Sequence, residues 1–204
     1  MSAKPVFLVD AGTGNIQSVT MALSSLGARV RMVKTPQELA AGRVVLPGVG
    51  AFGQFMTGLS SRSLVEPLRD AVRRGDPLLG ICVGMQAFFE GSEEFGNFDG
   101  LGLLPGRVVR FRETAQFKVP HTGWNQLLPL EGGGPLFKGL TAGVSVYFNH
   151  SYYCRAGQPE TRALTDAGET FASMVQHQNV HAVQFHPEKS QRVGLKILAN
   201  FLEL

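Results

Sequence analysis

Cysteine is scarce in this chain of 204 residues, which contains only Cys82 and Cys154. Two cysteines cannot build the dense disulfide framework of a small secreted protein, and no other feature indicates secretion, so we expect no disulfide. Neither cysteine lies in a Cys/His cluster with the ligand spacing of a zinc site. The sequence therefore predicts free thiols and no metal site.

Long apolar runs and concentrated charge are also missing. The strand-like run of residues 6–10 is too short for a signal peptide or a membrane span, so we expect a cytoplasmic protein without membrane contact. The net charge is only +3, and the lysines and arginines are scattered without the interleaved aromatic residues of a nucleic-acid platform. Binding to nucleic acid is therefore not expected.

What the chain does have is enough apolar sequence for one full core. Hydrophobic residues make up 44% of it and no break in composition separates two parts, so we place a single domain over residues 1–204. Over about the first 90 residues, strand patterns alternate with helix patterns, which predicts an α/β fold with a parallel sheet and right-handed crossovers. The predicted strands are residues 6–10, 30–33, 44–46 and 78–81, and the predicted helices are residues 16–26, 37–41 and 64–74.

Strand patterns dominate the second half of the chain. They fall at residues 107–111, 144–148, 170–175 and 180–185, with a hairpin turn at residues 176–179. We expect these strands to extend the same sheet or to form a second one beside it. Residues 91–102 and 132–135 are predicted loops, and residues 191–202 are a predicted amphipathic helix.

Functional residues of a parallel sheet collect at the carboxyl ends of its strands. Gly12-Thr13-Gly14 follows the first strand and superficially resembles a dinucleotide-binding fingerprint. However, Gln17 occupies the place of the third glycine, and no acidic residue follows the second strand to bind a ribose. We therefore interpret this stretch as a tight turn and expect no cofactor.

The loop after the third strand, residues 47–50, reads Pro-Gly-Val-Gly and could point backbone N–H groups into a cleft. Acyl transfer needs such donors, because its tetrahedral intermediate carries negative charge on the former carbonyl oxygen. On its own, the loop is more typical of a plain glycine-rich connection. Only a neighbouring nucleophile would give it a function.

A candidate nucleophile follows the fourth strand. Cys82 lies between Gly80 and Gly84 with a helix-like segment directly after it, which is the strand–turn–helix layout of a nucleophile elbow. The glycines keep side chains out of the turn, and the positive end of the helix would favour the thiolate. A buried core cysteine explains the stretch equally well.

His186 and Glu188 follow the late strand at residues 180–185 and are separated by Pro187. Glu188 could orient the imidazole and stabilise its charged form, while Pro187 restricts the backbone of the pair. In isolation a surface turn is the better interpretation. The other histidines have no carboxylate so close in sequence; they are His121, His150, His177 and His181. Together with Cys82, the pair supplies the parts of a Cys-His-Glu triad.

With these motifs the chain resembles the class I, triad-type glutamine amidotransferases, and more narrowly the glutaminase subunits of imidazole glycerol phosphate synthase. The narrower resemblance rests on PGVGAF at residues 47–52, PHTGWN at residues 120–125 and YFNHSYY at residues 147–153. Ala11 and Val83 depart from the residues most common in the family, but neither is a triad position. The resemblance implies a flavodoxin-like, mostly parallel central sheet flanked by helices, with additional strands in the C-terminal half.

The resemblance also implies a mechanism. Cys82 would attack the side-chain amide of glutamine, His186 would transfer the protons and Glu188 would hold the imidazole. The implied oxyanion donors are the backbone N–H groups of Val49, Gly50 and Val83. The implied glutamine contacts are Gly50, Gln86, Ser151 and Tyr152. Neither a metal nor a cofactor is part of this mechanism.

The implied partner is a (βα)8-barrel cyclase subunit, which would form a heterodimer with this chain and receive ammonia through an internal channel. The interface candidates are Asn15, Pro120, Trp124 and Lys189. Two alternatives stay open. One is a glutaminase that feeds a different synthase, such as the pyridoxal phosphate synthase, although the segment at residues 120–124 argues against it. The other is a non-catalytic, flavodoxin-like binding protein.

Overall fold

The computed structural model describes residues 5–115, 117–155 and 157–204. Within these residues the strands are β1 (Val6–Val9), β2 (Val30–Val33), β3 (Arg43–Gly48), β4 (Leu78–Cys82), β5 (Gly91–Ser92), β6 (Phe98–Asp99), β7 (Arg107–Arg110), β8 (His121–Gln126), β9 (Leu128–Pro129), β10 (Ser145–His150), β11 (Tyr152–Cys154), β12 (Thr161–Asp166), β13 (Thr170–His177) and β14 (Val180–Val183). The α-helices are α1 (Ile16–Ser25), α2 (Phe52–Ser61), α3 (Val65–Arg73), α4 (Val83–Gln86) and α5 (Gln191–Leu202). Short 3-10 turns lie at Pro36–Glu38, Glu131–Gly133, Pro135–Phe137 and Pro187–Lys189.

A central sheet runs in the order β2-β1-β3-β4-β14-β13-β12-β9. The first five strands are mutually parallel, and the last three add antiparallel pairs at one side. The predicted mostly parallel sheet with additional C-terminal strands is therefore confirmed. Strands β1, β3 and β4 are buried almost throughout, as expected for apolar strands covered by helices on both faces.

The strand order decides which loops meet. In the middle of the sheet β3 pairs with β4, and β4 pairs with β14. Gly48 lies opposite Cys82, and Val183 lies opposite Ile81, so three strands end side by side at one edge. The glycine loop, Cys82 and the segment that begins at His186 therefore come together, although the chain separates the last two by about a hundred residues.

Two smaller sheets accompany the central one. Strands β8 and β10 form an antiparallel pair, and a four-stranded sheet runs in the order β11-β7-β5-β6. Both expectations for the second half are thus met in part, because β12 to β14 extend the main sheet while β7 and β10 lie outside it. The hairpin between β13 and β14 is confirmed, with His177 paired to Val180 across a two-residue turn.

Two local predictions are wrong. Residues 37–41 are not a helix: only Pro36–Glu38 forms a 3-10 turn, closed because the Glu38 carboxylate accepts from the N–H groups of Lys34 and Thr35. Residues 91–102 are not entirely loop, since β5 and β6 lie there. None of the helices in the described ranges combines the length and the apolar character needed to cross a membrane.

Helix α2 was absent from the sequence-based expectation because Gly53 and Gly58 lower its intrinsic helix propensity. Close packing explains these glycines. A Cβ atom on Gly58 would lie 1.9 Å from the carbonyl oxygen of Ala11, and one on Gly53 would lie 2.7 Å from the ring of Phe98. Tertiary packing therefore overrides the weak local preference.

Candidate active site

Cys82 lies at a sharp turn between β4 and α4. Its backbone has φ +54° and ψ −111°, a conformation that L-residues rarely adopt and that is concentrated at functional turns. The glycines on either side allow close approach: a Cβ atom on Gly84 would lie 1.9 Å from the carbonyl oxygen of Leu46, and one on Gly80 would lie 2.8 Å from the carbonyl oxygen of Gly84. The predicted elbow geometry is thus present around a thiol that is 3% exposed.

His186 and Glu188 are buried beside this elbow. The Nδ1 atom of His186 lies 2.9 Å from Oε1 of Glu188, and the same oxygen accepts a hydrogen bond of 3.3 Å from the amide of Asn15. Burial by itself lowers the pKa of His186, but the interactions of the ring with Cys82 and Glu188 outweigh burial and raise the pKa to about 10. The arrangement therefore favours the imidazolium form of His186, with the Glu188 carboxylate behind it.

A cavity of about 330 Å³ opens in front of the thiol. Its walls come from the loop after β3, the elbow, the β5–β6 connection and the segment that joins β10 to β11. The lining residues are Val49, Gly50, Cys82, Val83, Gln86, Glu94, Pro120, Asn149, His150, Ser151, Tyr152, His186 and Lys189. The structure thus brings together all the predicted oxyanion and glutamine-contact residues; their roles stay predictions.

Gln86 is held rigidly in this wall. Its side-chain amide donates to the carbonyl oxygen of Tyr152 at 2.9 Å and to Oε1 of Gln184 at 3.1 Å. Gln184 in turn points its own amide at the Cys82 sulfur, 3.8 Å away. The sequence reasoning did not assign a role to Gln184, although it stands two residues before His186 on the same strand end. Gln184 therefore connects the Cys82 thiol to Gln86 in the cavity wall.

Glu94 is a second residue that sequence reasoning missed, because it lies in a stretch predicted to be a loop. Its carboxylate borders the cavity and its Oε2 atom accepts a hydrogen bond of 2.6 Å from the backbone N–H of Phe52. Burial raises the pKa of the Glu94 carboxyl, while the N–H of Phe52 lowers it. The sequence carries no local signal for Glu94, because only the fold shows that this acidic side chain faces the cavity.

A comparison with known families decides the identity of this arrangement. Residues 7–204 match the family described as glutamine amidotransferase class-I. The chain belongs to the class-I glutamine amidotransferase family. The resemblance drawn from the triad motifs is therefore confirmed over nearly the whole sequence.

Relatives of this glutamine amidotransferase agree on a narrower group. It is 47% identical to imidazole glycerol phosphate synthase subunit HisH of Syntrophotalea carbinolica, over 96% of this chain and 98% of that protein. It is 48% identical to the protein of the same name from Gloeobacter violaceus, over 97% of this chain and 88% of that protein. The narrower resemblance to these glutaminase subunits is confirmed.

Solved structures agree on the fold of the amidotransferase. A crystal structure of a glutamine amidotransferase superposes with a TM-score of 0.75 at 20% identity, covering 98% of this chain and 99% of that chain. The structure of PurLQS from Thermotoga maritima gives a TM-score of 0.74 at 18% identity, covering 98% of both chains. At these identities the likeness establishes the class I amidotransferase fold alone.

The four predicted interface residues occupy two places in the amidotransferase. Pro120 and Lys189 line the cavity, and the Lys189 ammonium lies 5.7 Å from the centre of the Tyr147 ring. Trp124 is 50% exposed and packs edge-on against the same ring, 6.2 Å between centroids. Asn15 instead lies against Glu188. The first three therefore form an exposed aromatic and basic rim beside the cavity.

Two further histidines, His121 and His150, are buried beside the cavity, and His150 also lines it. Nε2 of His121 lies 3.2 Å from the Asn125 amide, and its Nδ1 lies 3.0 Å from Nε2 of His150. Nδ1 of His150 lies 2.8 Å from the carbonyl oxygen of Tyr152, the oxygen that also holds Gln86. Burial lowers the pKa of His121 to about 4 and that of His150 to about 3. Both rings are neutral at physiological pH.

Acid should destabilise the amidotransferase through its buried histidines, including His181, whose pKa burial lowers to about 4. Below about pH 6.5 a histidine in the unfolded chain binds a proton, whereas the buried ring in the folded protein stays neutral. The free energy of unfolding therefore falls as the pH falls toward 4. We expect His181→Leu to reduce the loss between pH 7 and pH 5 by about 1–2 kcal/mol, as measured by urea denaturation.

The control for this prediction is His177→Gln, because the His177 side chain is 48% exposed on the surface. This variant should change the loss of stability between pH 7 and pH 5 by less than His181→Leu does. An identical pH dependence in His181→Leu and the parent would contradict the prediction.

Proposed function

We propose that this chain hydrolyses L-glutamine to glutamate and ammonia and passes the ammonia to a cyclase subunit. The observation that carries the proposal is the buried elbow thiol of Cys82, which lines the same cavity of about 330 Å³ as His186, while Oε1 of Glu188 lies 2.9 Å from Nδ1 of His186. A nucleophile, a base and an orienting carboxylate in this order are the components of triad-type acyl transfer.

In the proposed mechanism the Cys82 thiolate attacks the side-chain amide carbon of glutamine. The oxyanion that forms is stabilised by backbone N–H groups at Val83 and in the Val49–Gly50 segment. The His186 imidazolium gives its proton to the departing ammonia, which leaves a glutamyl thioester on Cys82. His186, now neutral, takes a proton from water as the water attacks the thioester, and glutamate leaves with the thiolate restored.

The cavity also offers a means of recognising the free amino acid. Glutamine carries an α-ammonium group, and Glu94 is the carboxylate that lines the cavity, so we assign Glu94 to that ammonium. Gly50, Gln86, Ser151 and Tyr152 surround the remaining space and provide the other contacts in this proposal. A γ-amide substrate that lacks the ammonium would lose this ion pair.

The partner in this proposal is the (βα)8-barrel cyclase subunit of imidazole glycerol phosphate synthase. Ammonia becomes ammonium in neutral water and loses its nucleophilicity, so a synthase gains from direct transfer between its sites. The exposed Trp124 side chain beside the cavity supports docking at that mouth, because large aromatic side chains are typical interface anchors. Lys189 lines the cavity next to it. The products would be imidazole glycerol phosphate and an aminoimidazole carboxamide ribotide, in histidine biosynthesis.

The test is an assay of glutamate and ammonia release by the chain alone and with its cyclase subunit. We expect the complex to release both, and to release them faster when the ligand of the cyclase is added. Glutamine hydrolysis without formation of imidazole glycerol phosphate would favour a glutaminase of a different synthase. No ammonia release with any partner would leave the non-catalytic binding protein as the better explanation.

A further inference from the structure

The start of helix α2 is held by a residue from a distant part of the chain. The first N–H groups of a helix have no partner within the helix, and the residue before α2 is Ala51, whose side chain cannot accept a hydrogen bond. The N–H of Phe52 donates instead to Oε2 of Glu94 at 2.6 Å, across 42 residues of sequence. Glu94 therefore acts as the N-terminal cap of α2.

The segment just before this cap contains two of the three proposed oxyanion donors, Val49 and Gly50. Gly48 is the last residue of β3 and pairs with Cys82, and a Cβ atom there would lie 2.8 Å from the backbone nitrogen of Gly84. Gly50 has φ +86° and open space around its Cβ position. Residues 49–51 therefore form the connection between the end of β3 and the start of α2. Its two anchors are the strand pairing and the Glu94 cap.

The loop that carries Glu94 is itself docked on α2. The ring of Phe98 lies over Gly53, where a Cβ atom would come within 2.7 Å of it. The backbone N–H of Glu94 donates to the Ser92 hydroxyl at 3.2 Å. Glu94 is therefore held in place by the β5–β6 hairpin, and its hydrogen bond to Phe52 fixes the start of α2 relative to that hairpin.

We propose that Glu94 is a positioning residue that keeps the backbone of residues 49–51 in register with the Cys82 thiolate. The inference rests on the proposed function and adds a second task for the same carboxylate. A carboxylate has two oxygens, so one can hold the Phe52 N–H while the other receives the α-ammonium of glutamine. Glu94 then both binds the substrate and aligns the oxyanion donors.

Two substitutions separate these tasks. Glu94→Gln keeps an oxygen that can accept from Phe52 but removes the charge that binds the ammonium. Glu94→Ala removes both. In the complex with the cyclase subunit, we expect the KM for glutamine to rise about tenfold or more in both variants, because both lose the ion pair. We expect kcat to stay within about threefold in Glu94→Gln and to fall by about tenfold or more in Glu94→Ala.

Alkylation of Cys82 by iodoacetamide, followed by mass spectrometry of its peptide, provides the matched control. This displacement forms no oxyanion, so its rate should be the same in the parent and both variants. Equal kcat in the two variants would overturn the proposal, and so would a parallel fall of kcat and alkylation rate, which would mean a general collapse of the site. Failure of the proposed function would be distinct, since the parent complex itself would then release no ammonia.

Discussion

Replacing Cys82 by alanine should abolish glutamine hydrolysis, with a loss of at least about 10⁴-fold in kcat. Without the sulfur no thioester can form, and water in the cavity would have to attack the amide directly. The measurement is glutamate release by the complex with the cyclase subunit. Because the Cys82 side chain is buried at the turn and 3% exposed, partner binding should remain nearly intact. Supplying ammonium salt should then restore formation of imidazole glycerol phosphate.

The matched control is Cys154→Ala. Cys154 is fully buried on β11, and burial raises the pKa of its thiol well above the ordinary value, so it is a poor nucleophile. This variant should lose some stability through a small packing defect but keep its glutaminase activity. If Cys82→Ala retained substantial glutamine-dependent synthesis, the assignment of the nucleophile would be wrong.

Replacing Gly84 by alanine should unfold or severely destabilise the elbow. Alanine forms helices better than glycine by about 1 kcal/mol, so propensity alone predicts a more stable protein. The new Cβ atom, however, would lie 1.9 Å from the carbonyl oxygen of Leu46 in β3, and backbone cannot move aside cheaply. We expect the collision to outweigh propensity and to cost about 3 kcal/mol or more, measured by urea denaturation.

Activity should fall in the same variant, because β3 leads directly into the Val49–Gly50 segment, which we propose supplies oxyanion donors. Gly75→Ala serves as the control: Gly75 has φ +82° but nothing within 4 Å of its Cβ position. It should cost only the left-handed backbone penalty of about 1–2 kcal/mol and leave glutaminase activity unchanged. A Gly84→Ala protein as stable as its parent would show that the elbow is less tightly packed than we infer.

The parts of the site that could be predicted from sequence are those with a local signature. Cys82 between two glycines and His186 two residues before Glu188 each follow an apolar strand, and such ends are where functional residues collect. Their meeting depends on the pairing of β4 with β14, which is a long-range contact that no local pattern encodes. The family motifs supplied that information before the structure did.

Residues that work through distant partners could not be predicted. Glu94 reads as an ordinary loop acid, and its importance arises only because it reaches Phe52 across the fold. Gln184 reads as a polar residue in a strand, and its contact with the Cys82 sulfur requires the folded sheet. Helix α2 could not be predicted for a related reason. Its glycines lower the local helix propensity, and they are needed because other segments of the fold pack closely against them.

Beside the cavity, hydrogen bonds join Asn125, His121, His150 and the Tyr152 carbonyl in a row. With both imidazole rings neutral, this row has one possible arrangement of protons. The Tyr152 carbonyl can only accept, so His150 must carry its hydrogen on Nδ1 and accept at Nε2 from the Nδ1–H of His121. The Asn125 amide then donates to the remaining nitrogen of His121. Every ring nitrogen of His121 and His150 is thus used in a hydrogen bond, and neither ring has a lone pair left to accept a proton from a substrate. Of the histidines that line the cavity, this leaves His186 as the base that the proposed mechanism requires.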